Sequence, residues 1–191
     1  MIMNTFEEEV ELCVKLLKEG KVFVYPTDTI WGIGCDATNV KAVDRIFKIK
    51  NRPSGQGLII LVDSIERLKD YVVDPSPVAA DLIMAAKNPL SIVFKQSKGL
   101  AKNLSSDGSI CVRVTSNEFC KAVIRKLGAP ITSTSANLHG EPSPANFADI
   151  TENMKQSADY VVSLYHDVVV KPKASTIIKI KEDNTFDVLR S

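Results

Sequence analysis

The sequence has few histidines, few aromatic residues and no long apolar segment. It contains two histidines, His139 and His166, and aromatic residues make up 6% of it. Its longest wholly apolar runs, such as Leu58 to Val62, fall far short of the ~20 residues that span a bilayer. The first ten residues are acidic rather than basic. We therefore expect neither a signal peptide nor a membrane segment, and a cytoplasmic location.

Patterns typical of metal and redox sites are missing as well. The spacing of the cysteines never reaches CxxC, so they are interpreted as reduced core residues: Cys13, Cys35, Cys111 and Cys120. No histidine and cysteine cluster is present, so no protein-bound metal site is expected. The net charge of +1, from 24 basic and 23 acidic residues, gives no global field for nucleic acid. Such a partner would need a local patch.

The chain does contain alternating apolar runs and amphipathic stretches. Hydrophobic residues make up 45% of it, enough for a full core in one domain over residues 1–191. Helices are predicted from a capping box at Thr5 to Gly20, from Asn39, near Ser64, at Ser76-Pro77, from about Ser116 to Leu127, and after Pro144. Strands are predicted at 22–25, 58–62, 91–94, 109–114, 131–134, 160–164, 167–170, 175–180 and 186–189. This alternation predicts an α/β fold with a twisted, mixed parallel and antiparallel open sheet flanked by helices.

One segment matches a dinucleotide-binding fingerprint, although its surroundings do not. Residues 32–37, Gly-Ile-Gly-Cys-Asp-Ala, fit the pattern G-x-G-x-x-G/A. The glycines come seven residues after the predicted strand, and the next helix begins only at Asn39. Asp36 would also place a carboxylate beside the pyrophosphate. A Rossmann site is therefore not favoured, because this motif means little outside a strand, turn and helix.

A basic segment is the first candidate for anion binding. Five positive charges fall within twelve residues, at Lys41, Arg45, Lys48, Lys50 and Arg52. The first three lie on the predicted solvated face of the second helix, and the last two lie at its end, where cations also stabilise the helix dipole. The glycine-rich loop 54–57 follows at once, and a basic pair beside such a loop suits a phosphate chain. Phosphate binding and a plain helix end both stay open.

Two hydroxyl-rich segments follow predicted strands. Pro26-Thr27-Asp28-Thr29 lies just beyond a strand end, where ligands of open α/β sheets bind, although a turn would also explain it. Trp31 follows as a candidate lid or wall. Four consecutive hydroxyl residues, 132–135, and Asn137 offer neutral donors to phosphate or carboxylate oxygens. A Ser/His/Asp triad with His139 or His166 as base is the competing interpretation, and no G-x-S-x-G motif supports it.

Together these segments resemble the YrdC-type threonylcarbamoyl-AMP synthases over nearly the whole chain. The resemblance rests on residues 26–34, 50–53, 112–114, 133–137 with Gly140 and Ser143-Pro144, and 175–177. It implies the YrdC-like fold, with a concave, positively charged cavity. It also implies synthesis of threonylcarbamoyl-AMP and pyrophosphate from L-threonine, bicarbonate or CO2, and ATP. This product is used for the threonylcarbamoyl-adenosine modification of tRNA.

The resemblance also implies roles for individual residues. The catalytic signature of the family is matched by Lys50, Arg52, Ser135 and Asn137. ATP would be bound by Arg52, Gln56, Ser109, Ser135 and Ser143, and threonine by Thr29, Arg113, Ser133 and Thr176. No metal ligand is implied, because Mg2+ would be carried with ATP. A downstream tRNA threonylcarbamoyl transferase would take the product.

The sequence departs from the family pattern in three places. Gln56 stands where the family usually has lysine, so one cation near the phosphates is missing. Lys87-Asn88-Pro89 replaces the usual Pro-Gly-Pro, and Leu61 replaces a histidine of many relatives. These changes bear on affinity more than on the class of reaction. Serine is expected as a slow substrate, because one methyl group is worth only about 1 to 3 kcal/mol.

Two other functions stay open. A carbamoyl transferase acting through carbamoyl-AMP, as in the YrdC-like domain of hydrogenase-maturation proteins, would use carbamoyl phosphate. An RNA-binding module would use the basic segment to hold tRNA or double-stranded RNA, and its binding would depend steeply on salt.

Overall fold

A mixed sheet of nine strands frames the molecule. The computed structural model describes residues 5–138, 140–167, 174–181 and 183–191. The helices are α1 (Phe6–Lys18), α2 (Val40–Ile49), α3 (Leu68–Tyr71), α4 (Pro77–Ala85), α5 (Glu118–Leu127) and α6 (Glu152–Ser157), with a 3-10 helix at Phe147–Asp149. The strands are β1 (Phe23–Tyr25), β2 (Gly32–Gly34), β3 (Ile59–Val62), β4 (Leu90–Phe94), β5 (Ile110–Val114), β6 (Ile131–Ser135), β7 (Tyr160–Val161), β8 (Thr176–Ile180) and β9 (Phe186–Arg190).

The strand order is β7-β1-β2-β6-β3-β5-β4-β8-β9. Strands β1 and β7, β3 and β5, and β4 and β8 pair in parallel, and the remaining neighbours are antiparallel. The predicted mixed, open α/β sheet is therefore confirmed. In this order β6 joins the two halves, because it pairs with β2 on one side and β3 on the other.

Side chains at the helix ends explain where the main helices begin and stop. Thr5 and Glu8 form the predicted capping box of α1. The side chain of Asn39 accepts from the backbone amides of Lys41 and Ala42 in the first turn of α2, and that of Asn117 accepts from the amide of Cys120 in α5. Gly128 ends α5 in the left-handed conformation, with φ 77°, where glycine has no steric penalty. Local sequence therefore fixes these boundaries without help from the sheet.

Two apolar layers cover the faces of the sheet. One face packs α2 and neighbouring helices against Val24, Ile33 and Ile60. The other packs α1 and α5 against Phe23 and Leu61. All four cysteines are free. No helix of the described ranges is long and apolar enough to cross a membrane.

Strand β2 is absent from the strands that the sequence predicts, which leave the segment between β1 and α2 without a strand. Two of its three residues are glycines, so it shows neither the alternation nor the β-branched content that marks a strand. Glycine is required there, because a Cβ on Gly34 would lie 2.0 Å from the carbonyl oxygen of Thr132. Because the close approach of the β2 and β6 backbones requires glycine, the sequence of β2 does not show the pattern of a strand.

Three smaller predictions also change. The helix expected near Ser64 begins only at Leu68, and the strand expected at 160–164 is limited to Tyr160–Val161. Of the strand expected at 167–170, Asp167 lies in a turn and residues 168–170 lie outside the described residues.

We expect Gly34→Ala to destabilise the protein by about 3 kcal/mol or more, because the added methyl group meets immobile backbone. Gly32→Ala, in the same strand, is the matched control. Its Cβ would lie 3.3 Å from the nearest atom, so its cost should be about 1 kcal/mol. Denaturant unfolding of both variants measures the difference. Equal losses would contradict this account of β2.

Candidate functional site

A polar cavity of about 270 Å³ lies where the middle of the sheet meets its surrounding loops. Pairing brings Gly32 beside Ser135, and Ile59 beside Ser133. The side chains that line the cavity include three arginines and several hydroxyl groups: Arg52, Arg113, Arg190, Thr29, Ser133, Thr134, Ser135, Ser143 and Ser175. Such a set of donors suits a ligand with anionic oxygens.

Three of the four residues expected at threonine meet in this cavity. Thr29, Arg113 and Ser133 line it, and Thr176 does not, although its neighbours Ser175 and Ile177 do. The hydroxyl groups of Thr27 and Thr29 lie 2.9 Å apart. This contact lies within the loop after β1, which supplies Thr29 to the cavity wall.

Arg113 is a buried cation whose hydrogen-bonding capacity is not filled. Its side chain is 3% exposed, and its Nη2 lies 3.2 Å from Oδ1 of Asp28. Nε and Nη2 nevertheless make no hydrogen bond with the described residues. Buried guanidinium donors are normally paired. Arg113 also lines the cavity, so its guanidinium is a candidate partner for an anionic group there.

Lys50 and Asn137 lie behind the cavity wall rather than in it. Lys50 is 3% exposed, and its Nζ donates to the carbonyl oxygen of Ser135 at 2.7 Å and to Oδ1 of Asn137 at 3.0 Å. It also donates to the backbone carbonyl of Asn137. Asn137 in turn donates through Nδ2 to the backbone of Glu141 at 2.5 Å. Lys50 therefore fastens the end of β6 to α2.

Burial and the neighbouring charge of Arg52 lower the pKa of Lys50 to about 8, against an ordinary value of 10.5. The nearby carboxylate of Glu141 acts in the opposite direction. Lys50 therefore remains an ammonium group below about pH 8, at a cost in desolvation.

Ser135, one of the five residues expected at ATP, lines the cavity. The other four divide into two pairs. Arg52 and Ser143 line the cavity. Gln56 and Ser109 do not, and both belong to neighbouring loops that meet through a bridge between Gln56 and Ser105. The hydroxyl of Ser109 donates to Asp107 at 2.6 Å. Nε of Arg52 donates to Oε1 of Gln56 at 3.2 Å.

Sequence reasoning missed Arg190 and the side chain of Ser175. Arg190 donates to the carbonyl oxygen of Ser175 through Nε at 3.1 Å and through Nη2 at 2.9 Å. The Ser175 hydroxyl lies 2.8 Å from that of Ser91. An irregularity in the pairing of β8 and β9 sets Arg190 opposite Ile177. Only this register brings Arg190 to the cavity, and no local pattern encodes it.

The triad interpretation finds no support in the position of His166. Its ring stacks on Phe147, with centroids 3.5 Å apart, and its Nε2 lies 2.7 Å from the carbonyl oxygen of Val162. His139 lies outside the described residues. Trp31 is buried and packs against Phe147 and His166, so it is a core residue and not the lid suggested from sequence.

The basic segment does not form one surface. Arg45 pairs with Asp159, Lys50 is buried, and Arg52 lines the cavity. Lys41 and Lys48 are exposed. The charges that the sequence grouped together therefore serve different contacts.

Comparisons with known proteins identify the family and support the fold. A family model with the description Sua5_yciO_yrdC, telomere recombination, matches residues 15–191. A protein of Aliivibrio fischeri named threonylcarbamoyl-AMP synthase is 34% identical over 183 residues, which cover 93% of this chain and 95% of that protein. One of the same name from Pseudoalteromonas translucida is 32% identical over 160 residues, covering 82% of this chain and 86% of that protein.

A solved structure of P. abyssi Sua5 complexed with L-threonine is similar over most of this chain. It has a TM-score of 0.87 and 26% sequence identity, and the match covers 99% of this chain. This chain spans about half of that Sua5, since the match covers 55% of its length.

We expect Lys50→Met to lower the free energy of unfolding by about 2 to 3 kcal/mol, because it leaves acceptor oxygens at the end of β6 without their charged donor. The pKa of Lys50 in the folded protein, about 8, is below its ordinary 10.5, so the unfolded chain holds the proton more tightly. The wild type should therefore gain stability over Lys50→Met as the pH rises from about 8 to 10.5.

Urea unfolding at pH 7, 8.5 and 10 would measure both effects. Lys48→Met is the control, since Lys48 is exposed on the same helix, and its effect should stay within about 0.5 kcal/mol. A Lys50→Met loss no larger than that of Lys48→Met would contradict the fastening role. A difference that does not vary with pH would contradict the lowered pKa.

Proposed function

The chain belongs to the Sua5/YciO/YrdC family, and on this premise we propose that it is an L-threonylcarbamoyladenylate synthase, a nucleotidyltransferase that supplies tRNA modification. The observation that carries the proposal is the buried guanidinium of Arg113, which lines a polar cavity together with Arg52 and Arg190. The names of relatives that match most of the chain support the same reaction.

The proposed reaction balances without covalent help from a side chain. The amine of threonine adds to CO2 and loses a proton, which gives a carbamate. A carbamate oxygen then attacks the α-phosphorus of ATP, and the bond to the β-phosphate oxygen breaks to release pyrophosphate. The protein needs to position two anionic substrates and stabilise charge, which is the usual basis of phosphoryl-group catalysis.

Threonine fits the end of the cavity that holds Arg113. Its carboxylate would accept from the planar guanidinium, which Asp28 keeps in place. The hydroxyl groups of Thr29 and Ser133 lie along the same wall and would hydrogen-bond the polar groups of the substrate. The backbone amide of Thr176 donates to the carbonyl oxygen of Pro89 at 3.1 Å, so in this proposal Thr176 would act by holding its neighbour Ser175 in the cavity wall.

ATP fits the side of the cavity near Arg52 and Ser143. Arg52 would bind the phosphate chain, and Ser135 and Ser143 would donate neutral hydrogen bonds. Gln56 and Ser109 would lie at the rim. The positive charge expected of the cavity would come from Arg52, Arg113 and Arg190.

Magnesium would enter with the nucleotide. No group of three His, Cys, Asp or Glu side chains among the described residues could hold a metal ion. Triphosphate oxygens and water are sufficient ligands for Mg2+. The ion would neutralise charge on the phosphates as pyrophosphate leaves.

Lys50 and Asn137 would then be positioning residues rather than groups that touch substrate. Both hold the segment from Ser135 to Glu141, which leads to Ser143 in the cavity. Their place in the family signature is consistent with this role, because a displaced Ser135 or Ser143 would lower turnover.

Further partners belong to the same proposal. A tRNA threonylcarbamoyl transferase would take the adenylate, and both would act in the cytoplasm. Direct contact with tRNA or double-stranded RNA would fall to Lys41 and Lys48, the exposed members of the basic segment. Because only these two charges of the basic segment are exposed, such contact would be weak and sensitive to salt.

Pyrophosphate release tests the proposal directly. We expect release from MgATP that depends on both L-threonine and bicarbonate, with threonylcarbamoyl-AMP detected by mass spectrometry. Serine should react more slowly. Release with carbamoyl phosphate in place of threonine and bicarbonate would favour the carbamoyl transferase, and no release under either condition would exclude both reactions.

Arg113→Lys should raise the KM for threonine by about tenfold or more, because lysine keeps the charge beside Asp28 but lacks the two-pronged donor. The KM for ATP should change far less. Arg125→Lys is the matched control, since Arg125 forms an exposed pair with Asp63 and should leave both constants unchanged. Equal changes in the two KM values would argue against carboxylate recognition by Arg113.

A further inference from the structure

Arg52 reaches the cavity from the loop that follows α2. Its backbone amide donates to the carbonyl oxygen of Phe47 at 3.0 Å, and Asn51 before it has φ 48°. Its guanidinium lines the cavity and donates through Nε to Oε1 of Gln56 at 3.2 Å. A long side chain on such a loop has many rotamers, so a hydrogen bond at Nε narrows the directions in which the guanidinium can point.

The backbone that carries Gln56 is itself held. It forms a bridge with Ser105, which opens a tight turn. In that turn Oδ1 of Asp107 accepts from the hydroxyl groups of Ser105 and Ser109, each at 2.6 Å. It also accepts from the backbone amide of Ser109 at 3.0 Å. The amide of Gln56 therefore extends from an anchored position.

The geometry of a guanidinium gives this contact a consequence. Arginine has five N–H donors in one plane, and two adjacent donors form each bidentate edge. When Nε is engaged by a carbonyl oxygen, the edge formed by the two Nη atoms is left for an anion. Only an acceptor can act in this way. A lysine at position 56 would add a positive charge, but it has no acceptor and would repel Arg52.

We infer that Gln56 is a positioning residue, which accepts from Nε of Arg52 and directs the Nη edge of that arginine into the cavity. The inference rests on the proposed function for the identity of the anion, the phosphate chain of ATP. It assigns Gln56 a role different from direct contact with ATP. In this chain, the orientation of Arg52 by Gln56 thus takes the place of a second cation near the phosphates.

A double-mutant cycle separates the two roles. We expect Gln56→Met to lower kcat/KM for MgATP by about 5- to 10-fold, the effect of one ordinary hydrogen bond in an exposed position, with the KM for threonine unchanged. In the Arg52→Ala background the same substitution should change kcat/KM by less than about twofold, because Gln56 acts through the missing arginine. Gln156→Met, at an exposed site in α6, is the matched control. Losses that multiply independently would overturn the inference, since Gln56 would then contact ATP itself.

A second readout needs no substrate. The Nε–H resonance of Arg52, assigned by its absence in Arg52→Ala, should shift and exchange faster with water in Gln56→Met, and should stay unchanged in Gln156→Met. An unchanged resonance in Gln56→Met would overturn the inference whatever the kinetics. If wild-type protein released no pyrophosphate from ATP, the proposed function would fail, and the resonance would still decide whether Gln56 orients Arg52.

Discussion

The arrangement of the cavity wall depends on the hydrogen bonds that the ammonium group of Lys50 donates. This group joins the end of α2 to oxygens at the end of β6, and β6 pairs with both β2 and β3. A charged donor is a stronger restraint on carbonyl oxygens than a neutral one, and here it is buried. Sheet pairing places Ser133 and Ser135, and the hydrogen bonds of Lys50 hold the segment that leads from Ser135 toward Ser143.

The three arginines of the cavity are each held along one edge. Arg113 lies against Asp28, Arg190 donates to the carbonyl oxygen of Ser175, and Arg52 donates to Gln56. Burial and the charge of Arg113 lower the pKa of Arg190, which reflects the cost of gathering cations in a small space. Binding of an anion offsets this repulsion. Donors fixed in advance need little reorganisation as charge develops during a reaction.

The sequence was sufficient for the parts of the fold that local chemistry determines. Caps at Thr5, Asn39 and Asn117, and the apolar run of β3, are each encoded within a few residues. Strand β2 was missed because its glycines are required by the backbone of β6, and Arg190 was missed because only the register of β9 brings it to the cavity. The burial of Lys50 was not predicted from the sequence, since the oxygens that surround it lie far away along the chain. Contacts between distant segments therefore account for the differences in both fold and site.

The glycines of β2 also bear on how the chain folds. This strand supplies little apolar surface of its own, and its partner β6 lies far along the chain, with Gly32 opposite Ser135. A large loop must therefore close before these strands can meet, and contacts distant in sequence slow folding. The helices can form earlier from local contacts, whereas β3, like β6, pairs with strands distant in sequence. The cavity is then among the last regions to assemble, so a chain with native helix content would still lack a competent site.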